Sequence, residues 1–212
     1  MGNKVVSFYS ENLNPIIVEL QSKVFEKFSI DLEQVKFTGS HGNAIKQYLD
    51  NSEFDKITIF DVDCIPLSES VIDYAMSIID DNTIYGNVQI SNSHPYVAPS
   101  FMSFTKKLYE TSTHKSFEGG FYPNKNGVMV EADCSEIFVK ENEKRGKKII
   151  LSYPTSCLNP QWKYDGDSQY PSFVYGNGTT FDSKTFHCFQ IRLPQVQDIF
   201  INYVNTILNE KS

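Results

Sequence analysis

From Lys4 to Ser91 the sequence alternates short apolar runs with stretches of helical periodicity, and this rhythm restricts the fold more than any other feature. KVVSFYS (4–10) reads as a buried strand, and Asn14 followed by Pro15 is a helix-start signature for PIIVELQSKVFEKF, with Ile17, Leu20, Val24 and Phe28 on one face. LEQVKFTG reads as a second strand, GNAIKQYLDN as a short helix and KITIFD as a third strand. ESVIDYAMSII follows as a helix with Ser68 as its cap, and TIYGNVQIS as another strand. Strand and helix in alternation predict an α/β fold with a mainly parallel central sheet covered by helices. At 212 residues one domain is expected, large enough to bury roughly 70% of the surface of its unfolded chain.

After residue 92 the rhythm breaks. SHPYVAPSFMSF reads as irregular to extended, FTKKLYETS as a short helix, and FEGGFYPNKNG as a turn-rich loop in which Asn126-Gly127 suits a tight hairpin. GVMVEAD returns as a strand, CSEIFVKENEKR as a helix stopped at Gly146, and KKIILSYP as a strand. The Gly- and Pro-bearing segment 155–180 reads as loop, with Tyr-Gly-Asn-Gly at 175–178 a plain turn or lid, before a strand KTFHCFQIR and a final helix PQVQDIFINYVNTIL. That helix carries Val196, Ile199, Phe200, Tyr203 and Ile207 on one stripe.

Bulk composition narrows the function classes. A net charge of −7 offers no general attraction to polyanions, and the basic concentration KENEKRGKK (140–148) reads as a solvated helix end. The four cysteines are far apart without a CxxC pair, as in a reduced cytoplasmic protein. No apolar run reaches the length of a signal peptide core or of a membrane span, so a cytoplasmic chain with no membrane span is expected. Asn177-Gly178-Thr179 matches a glycosylation acceptor by chance on this reading.

Chemistry concentrates in KITIFDVDCIP (56–66), where an apolar strand runs into Asp61 and Asp63. Ligands of parallel sheets bind at the carboxyl ends of the strands. Residues two apart in extended chain point the same way, so both carboxylates can face one volume, and a hard divalent cation relieves their repulsion. The alternative is a plain turn opened by an aspartate. His187 in TFHCF is either a core imidazole on a strand face with Phe189 and Ile191 or a ligand, whereas His41 reads as part of a solvated Ser-His-Gly turn. In EADCSE, Asp133 and Glu136 have the spacing of a capping box and also offer two carboxylates for proton transfer.

With these motifs in this order the chain resembles the GT-A glycosyltransferases: VVSFYS as first strand, a DxD after the third, the stretch YVAPSFMSFTKKLYE, the acidic helix opening EADCSEIF, and a late histidine in TFHCF. The resemblance implies a GT-A-like single domain, with residues 1–92 as a Rossmann-like nucleotide-sugar half and 93–212 as an acceptor half. It implies a nucleoside diphosphate sugar donor held on Mn2+ or Mg2+, with Asp63 a direct ligand, Asp61 on the ribose or the metal shell, and His187 completing the set. Ser7, Phe8, Tyr9 and Ser10 fall where the family holds base and ribose, and Asp133, then Glu136, where it places an acidic base. The acceptor implied is a saccharide or other hydroxyl, with a modified base in DNA as the minority case. Two rivals stand beside this: a haloacid-dehalogenase-type phosphatase with Asp61 as nucleophile, although Cys64 replaces the expected glycine and two strand-helix units precede the motif, and a non-catalytic nucleotide-sugar-binding module.

Overall fold

The computed structural model describes residues 2–91, 94–123 and 127–210. The first elements are β1 (Lys4–Ser10), α1 (Pro15–Lys27), β2 (Glu33–Phe37), α2 (His41–Asn51), β3 (Lys56–Asp61), β4 (Cys64–Pro66), α3 (Ser70–Ile78), β5 (Thr83–Ser91) and β6 (His94–Thr105). They are followed by α4 (Lys106–Thr111), β7 (Gly120–Pro123), β8 (Met129–Ala132), α5 (Glu136–Lys144), β9 (Lys148–Ser152), β10 (Pro154–Tyr164), β11 (Phe173–Phe181), β12 (Thr185–His187) and α6 (Pro194–Asn209).

A six-stranded sheet in the order β2-β1-β3-β6-β5-β9 forms the centre. Its pairs β1–β2, β1–β3 and β5–β9 are parallel, while β6 runs against both of its neighbours. The sheet is thus mainly parallel with one reversed strand. Alternation along each strand sorts side chains between two cores, because successive Cβ atoms point to opposite faces. Val6, Ile57, Ile59, Met102 and Phe104 meet α2, α4 and α5 through Ile45, Leu49, Leu108, Tyr109 and Phe138. Val5, Phe60 and Phe101 meet α3 and α1 through Val71, Ala75, Met76 and Phe25. Burial on both faces is why these strands read as nearly continuous apolar runs.

A second sheet, β10-β11-β12-β4, is antiparallel throughout. The segment read as loop is therefore mostly a long ribbon, and Tyr-Gly-Asn-Gly lies inside β11 rather than in a turn. A Cβ at Gly176 would stand 2.2 Å from the Asn159 carbonyl oxygen, so glycine here permits close strand approach beside a register shift. Asn177 is buried within the strand and donates to the Phe189 carbonyl at 3.2 Å. Other local expectations shift as well. His94–Thr105 is regular strand, because pairing with both β3 and β5 overrides its two prolines' reading as irregular chain. Ser68 does not cap α3, whose N-cap position is Glu69, whereas Asn14 does cap α1 by accepting from the Ile16 N–H at 3.2 Å. Gly120–Pro123, read as loop, pairs antiparallel with Met129–Ala132; Asn126 of the expected hairpin turn, and the expected boundary between halves at residues 92 and 93, lie outside the described residues. No helix among the described residues is long and apolar enough to cross a membrane.

Candidate metal centre

The two sheets meet at the aspartates. β3 ends at Asp61, Val62 and Asp63 form a turn, and β4 begins at Cys64 in the other sheet. The carboxylates therefore converge through a turn, not through continued strand alternation. Gln21, fully buried on α1, fixes that turn: its Nε2 donates to the Asp61 carbonyl at 2.8 Å and to the Cys64 carbonyl at 2.9 Å, while its Oε1 accepts from Gln34 at 3.0 Å. A buried main-chain acceptor left without a donor costs about 1–3 kcal/mol, and Gln21 supplies one to both carbonyls. A glutamine in the apolar stripe of α1 was the sequence signal for this support.

β4 pairs with β12 so that Cys64 faces His187, and the Cys188 N–H donates to the Asp63 carbonyl at 3.0 Å. This register carries His187 across more than a hundred residues to the acidic pair. Its Nε2 lies 3.3 Å from Asp63 Oδ1, and its ring rests on Phe189 with centroids 4.1 Å apart. The strand ends at His187, so Phe189 and Ile191 do not continue its strand face. Ligand atoms of Asp61, Asp63 and His187 all lie within 4.8 Å of one another. Asp61 Oδ1 and His187 Nδ1 are buried without a hydrogen-bond partner, so both side chains keep unfilled capacity at the group. Two hard oxygens and one imidazole suit Mg2+ or Mn2+. Burial pushes the Asp61 carboxyl above the ordinary carboxylate range; His41 and His187 pull against this, and Asp63 and Asp133 add to it.

Two clefts share His41, Asp61 and Asp63. One, of about 200 Å³, is lined by Phe8, Tyr9, Ser10, Leu13 and Phe37, with Arg192 at its edge. Ser7 does not reach it, being fully buried. The other, of about 220 Å³, is lined by His187, Gln89, Tyr96, Asp133 and Gln190. A larger cavity of about 490 Å³ lies at the opposite, amino end of β1 and β2, among Lys4, Asp31 and Glu33, away from this chemistry.

Asp133 faces the second cleft. Its Oδ2 accepts from Gln89 Nε2 at 2.9 Å and from the Tyr96 hydroxyl at 3.1 Å, and Oδ1 from the Cys134 N–H at 2.7 Å. Glu136 is not brought to the cleft. It is fully buried, accepts from the Tyr122 hydroxyl at 2.6 Å and from the Asp133 N–H at 2.9 Å, and pairs with Lys140 at 2.8 Å. Burial alone would raise its carboxyl, yet Lys140, Tyr122 and the Asp133 N–H outweigh it and hold the group below its usual range. The capping box that the spacing allowed is not formed, because α5 begins at Glu136 itself, with Ser135 at its N-cap position and no side-chain cap bond.

Two residues of the site were not legible as such. His41 opens α2 and turns inward, its Nε2 3.3 Å from Asp61 Oδ1, instead of lying in a solvated turn. Arg192 lines the first cleft and a neighbouring one with Ser10, Asn12 and Asn14, and forms no ion pair among the described residues. Its position five residues after His187 and just before the proline opening α6 was the available signal.

No protein-family model and no curated protein matches the sequence. Among solved structures, similarity is found at low sequence identity. HddC from Yersinia pseudotuberculosis is 15% identical, with a TM-score of 0.39, over 68% of this chain and 100% of that one. A putative glucose-1-phosphate thymidylyltransferase from Bacillus anthracis, in complex with a sucrose, is 10% identical, with a TM-score of 0.40, over 80% and 92%. A197 from STIV is 8% identical, with a TM-score of 0.44, over 87% and 93%. Likeness at this level carries no conclusion about activity.

Proposed function

We propose that the chain is a metal-dependent glycosyltransferase of GT-A type, moving a sugar from a nucleoside diphosphate sugar to an acceptor hydroxyl. The observation that supports this reading is the Asp61–Asp63–His187 group at the carboxyl end of β3, open to two clefts that share its aspartates. Residues 1–92 form the donor half on this proposal and 93–212 the acceptor half. The first cleft would take nucleoside, between Tyr9, Ser10 and Phe37; Asp63 and His187 would ligate Mn2+ or Mg2+, with Asp61 on the metal shell or the ribose. When bound, the cation supplies Lewis-acid stabilisation of the charge gathering on the departing diphosphate. Arg192 adds a fixed positive charge at the same mouth, where it meets phosphate. Asp133 is the base proposed for an inverting reaction: its three donors orient the carboxylate into the second cleft, where an acceptor hydroxyl, of a saccharide or other substrate, would stand.

A thermal-shift panel of nucleoside diphosphates and nucleotide sugars, with and without Mn2+, tests this. A ligand bound only by the folded state at 100 times its Kd adds roughly 2.7 kcal/mol. Stabilisation that requires both metal and nucleotide, with slow release of nucleoside diphosphate from one sugar donor, supports the transferase. Turnover of phosphomonoesters without response to nucleotide sugars would overturn it in favour of a phosphatase, and metal-dependent binding without any turnover in favour of a binding module.

A further inference from the structure

We infer that His41 is a positioning residue of the metal centre, engaging Asp61 through Oδ1 so that the second carboxylate oxygen is left to the cation. This rests on the metal reading above.

The imidazole is held from three sides. Ser40 caps α2 by accepting from the Asn43 N–H at 3.3 Å and also bonds to Glu118. Gly42 lies so close to the next loop that a Cβ there would stand 2.4 Å from the Phe117 carbonyl and the Glu118 nitrogen, so the first turn of α2 rests directly on backbone. The ring itself stacks on Phe37, with centroids 5.5 Å apart and planes 14° from parallel, and meets Phe8 at 6.0 Å. A solvated turn would need none of these restraints.

What the ring presents is Nε2, 3.3 Å from Asp61 Oδ1. Both atoms are buried and neither has a hydrogen-bond partner in alignment. His41 lies outside the group of mutually close ligand atoms, which contains Asp61, Asp63 and His187. Its effect therefore passes through Asp61. The Asp61 main chain is already fixed by Gln21, and an imidazole N–H turned onto Oδ1 fixes the side chain, leaving one oxygen and one direction for the metal. The two ligand aspartates are thus served by different histidines: Asp63 sits beside His187, itself a ligand candidate, and Asp61 beside His41, which is not.

The test is titration of Mn2+ alone, followed by its electron paramagnetic resonance, into the wild-type chain, His41→Ala and His41→Gln, with far-UV circular dichroism of each. Outer partners of ligand side chains contribute about 10–100-fold to metal affinity. His41→Ala is expected to bind Mn2+ weaker by that factor and to alter the line shape of the bound ion. His41→Gln, whose amide N–H reaches the same place, is expected to recover part of the loss. Equal Mn2+ affinity and line shape in wild type and His41→Ala overturns the role of His41 and leaves the metal centre standing. So does a loss confined to metal-free nucleotide binding, which would make His41 a nucleotide contact. Absence of Mn2+ binding by the wild type overturns the centre itself, and this inference with it.

Discussion

The two sheets differ in how they are held and in what they contribute. The central sheet is closed between helices on both faces, with aromatic packing such as Phe104 against Phe117 and Phe138. The second sheet ends in β10, an outer strand whose side chains are mostly exposed, and joins the rest through β4, through α6 and through the Thr185 hydroxyl on Asn87 at 3.0 Å. The first carries aromatic packing on closed faces, and the seam between the two brings the candidate ligands Asp61, Asp63 and His187 together. A chain built this way can lose its site without losing its fold.

Substitutions that separate the sheets should show this, beginning with the largest effect. Phe104→Ala, in the buried aromatic stack, should cost about 3–5 kcal/mol in urea denaturation, whereas Leu158→Ala, half exposed on β10, should stay within about 0.5 kcal/mol. Equal costs would contradict the contrast. At the seam, Gln21→Leu strands the carbonyls of Asp61 and Cys64 and should cost about 1–3 kcal/mol, with Mn2+ affinity falling as well because the turn loosens. Phe186→Ala removes a ring stacked 3.6 Å from Tyr203 on α6, next to His187; circular dichroism should report a retained fold while Mn2+ affinity drops.

Asp61 provides the prediction of opposite sign. Its folded pKa is raised from the ordinary 3.8, so folding stability falls as pH rises from that value through the folded pKa, and the whole penalty is present above it. Asp61→Asn should therefore raise the Tm of the metal-free protein at pH 7, by roughly 2–4 °C for each kcal/mol relieved, while abolishing metal binding. Below pH 3.8 the two proteins should converge. A lower Tm for the variant at pH 7 would show Asp61 to be structural. Smallest is Arg192→Ala, an exposed side chain with no ion pair among the described residues, expected to leave Tm nearly unchanged and to weaken only nucleoside diphosphate binding.

What was legible in the sequence follows the same division. The helices and strands before Ser91 show because they carry their own periods, with a local cap where Asn14 precedes Pro15, and burial on both faces leaves a plain apolar signature. β10 and β11 do not, because most of β10 is exposed, and Gly176 and Gly178 resemble turn residues while the first permits close approach of the Asn159 carbonyl and the second leaves room for the side chains of Phe186 and Ile199. Asp61, Asp63 and His187 stood out by type and place. His41 did not, since Ser-His-Gly has the local look of a solvated turn and only Phe37, Phe8 and the 117–118 backbone turn it inward. Asp133 and Glu136 stood as first and second candidates for one role, three residues apart; the side chain of Asp133 opens to the cleft, and that of Glu136 is consumed by Tyr122 and Lys140.

The most direct measurement is an anomalous-scattering map from crystals soaked in Mn2+ with a nucleoside diphosphate. A single strong peak within about 2.0–2.3 Å of oxygens from Asp61 or Asp63 and of a His187 nitrogen, with phosphate oxygens in the remaining positions, is the predicted result. Density for the nucleotide elsewhere on the molecule, with no manganese between these three side chains, would contradict it.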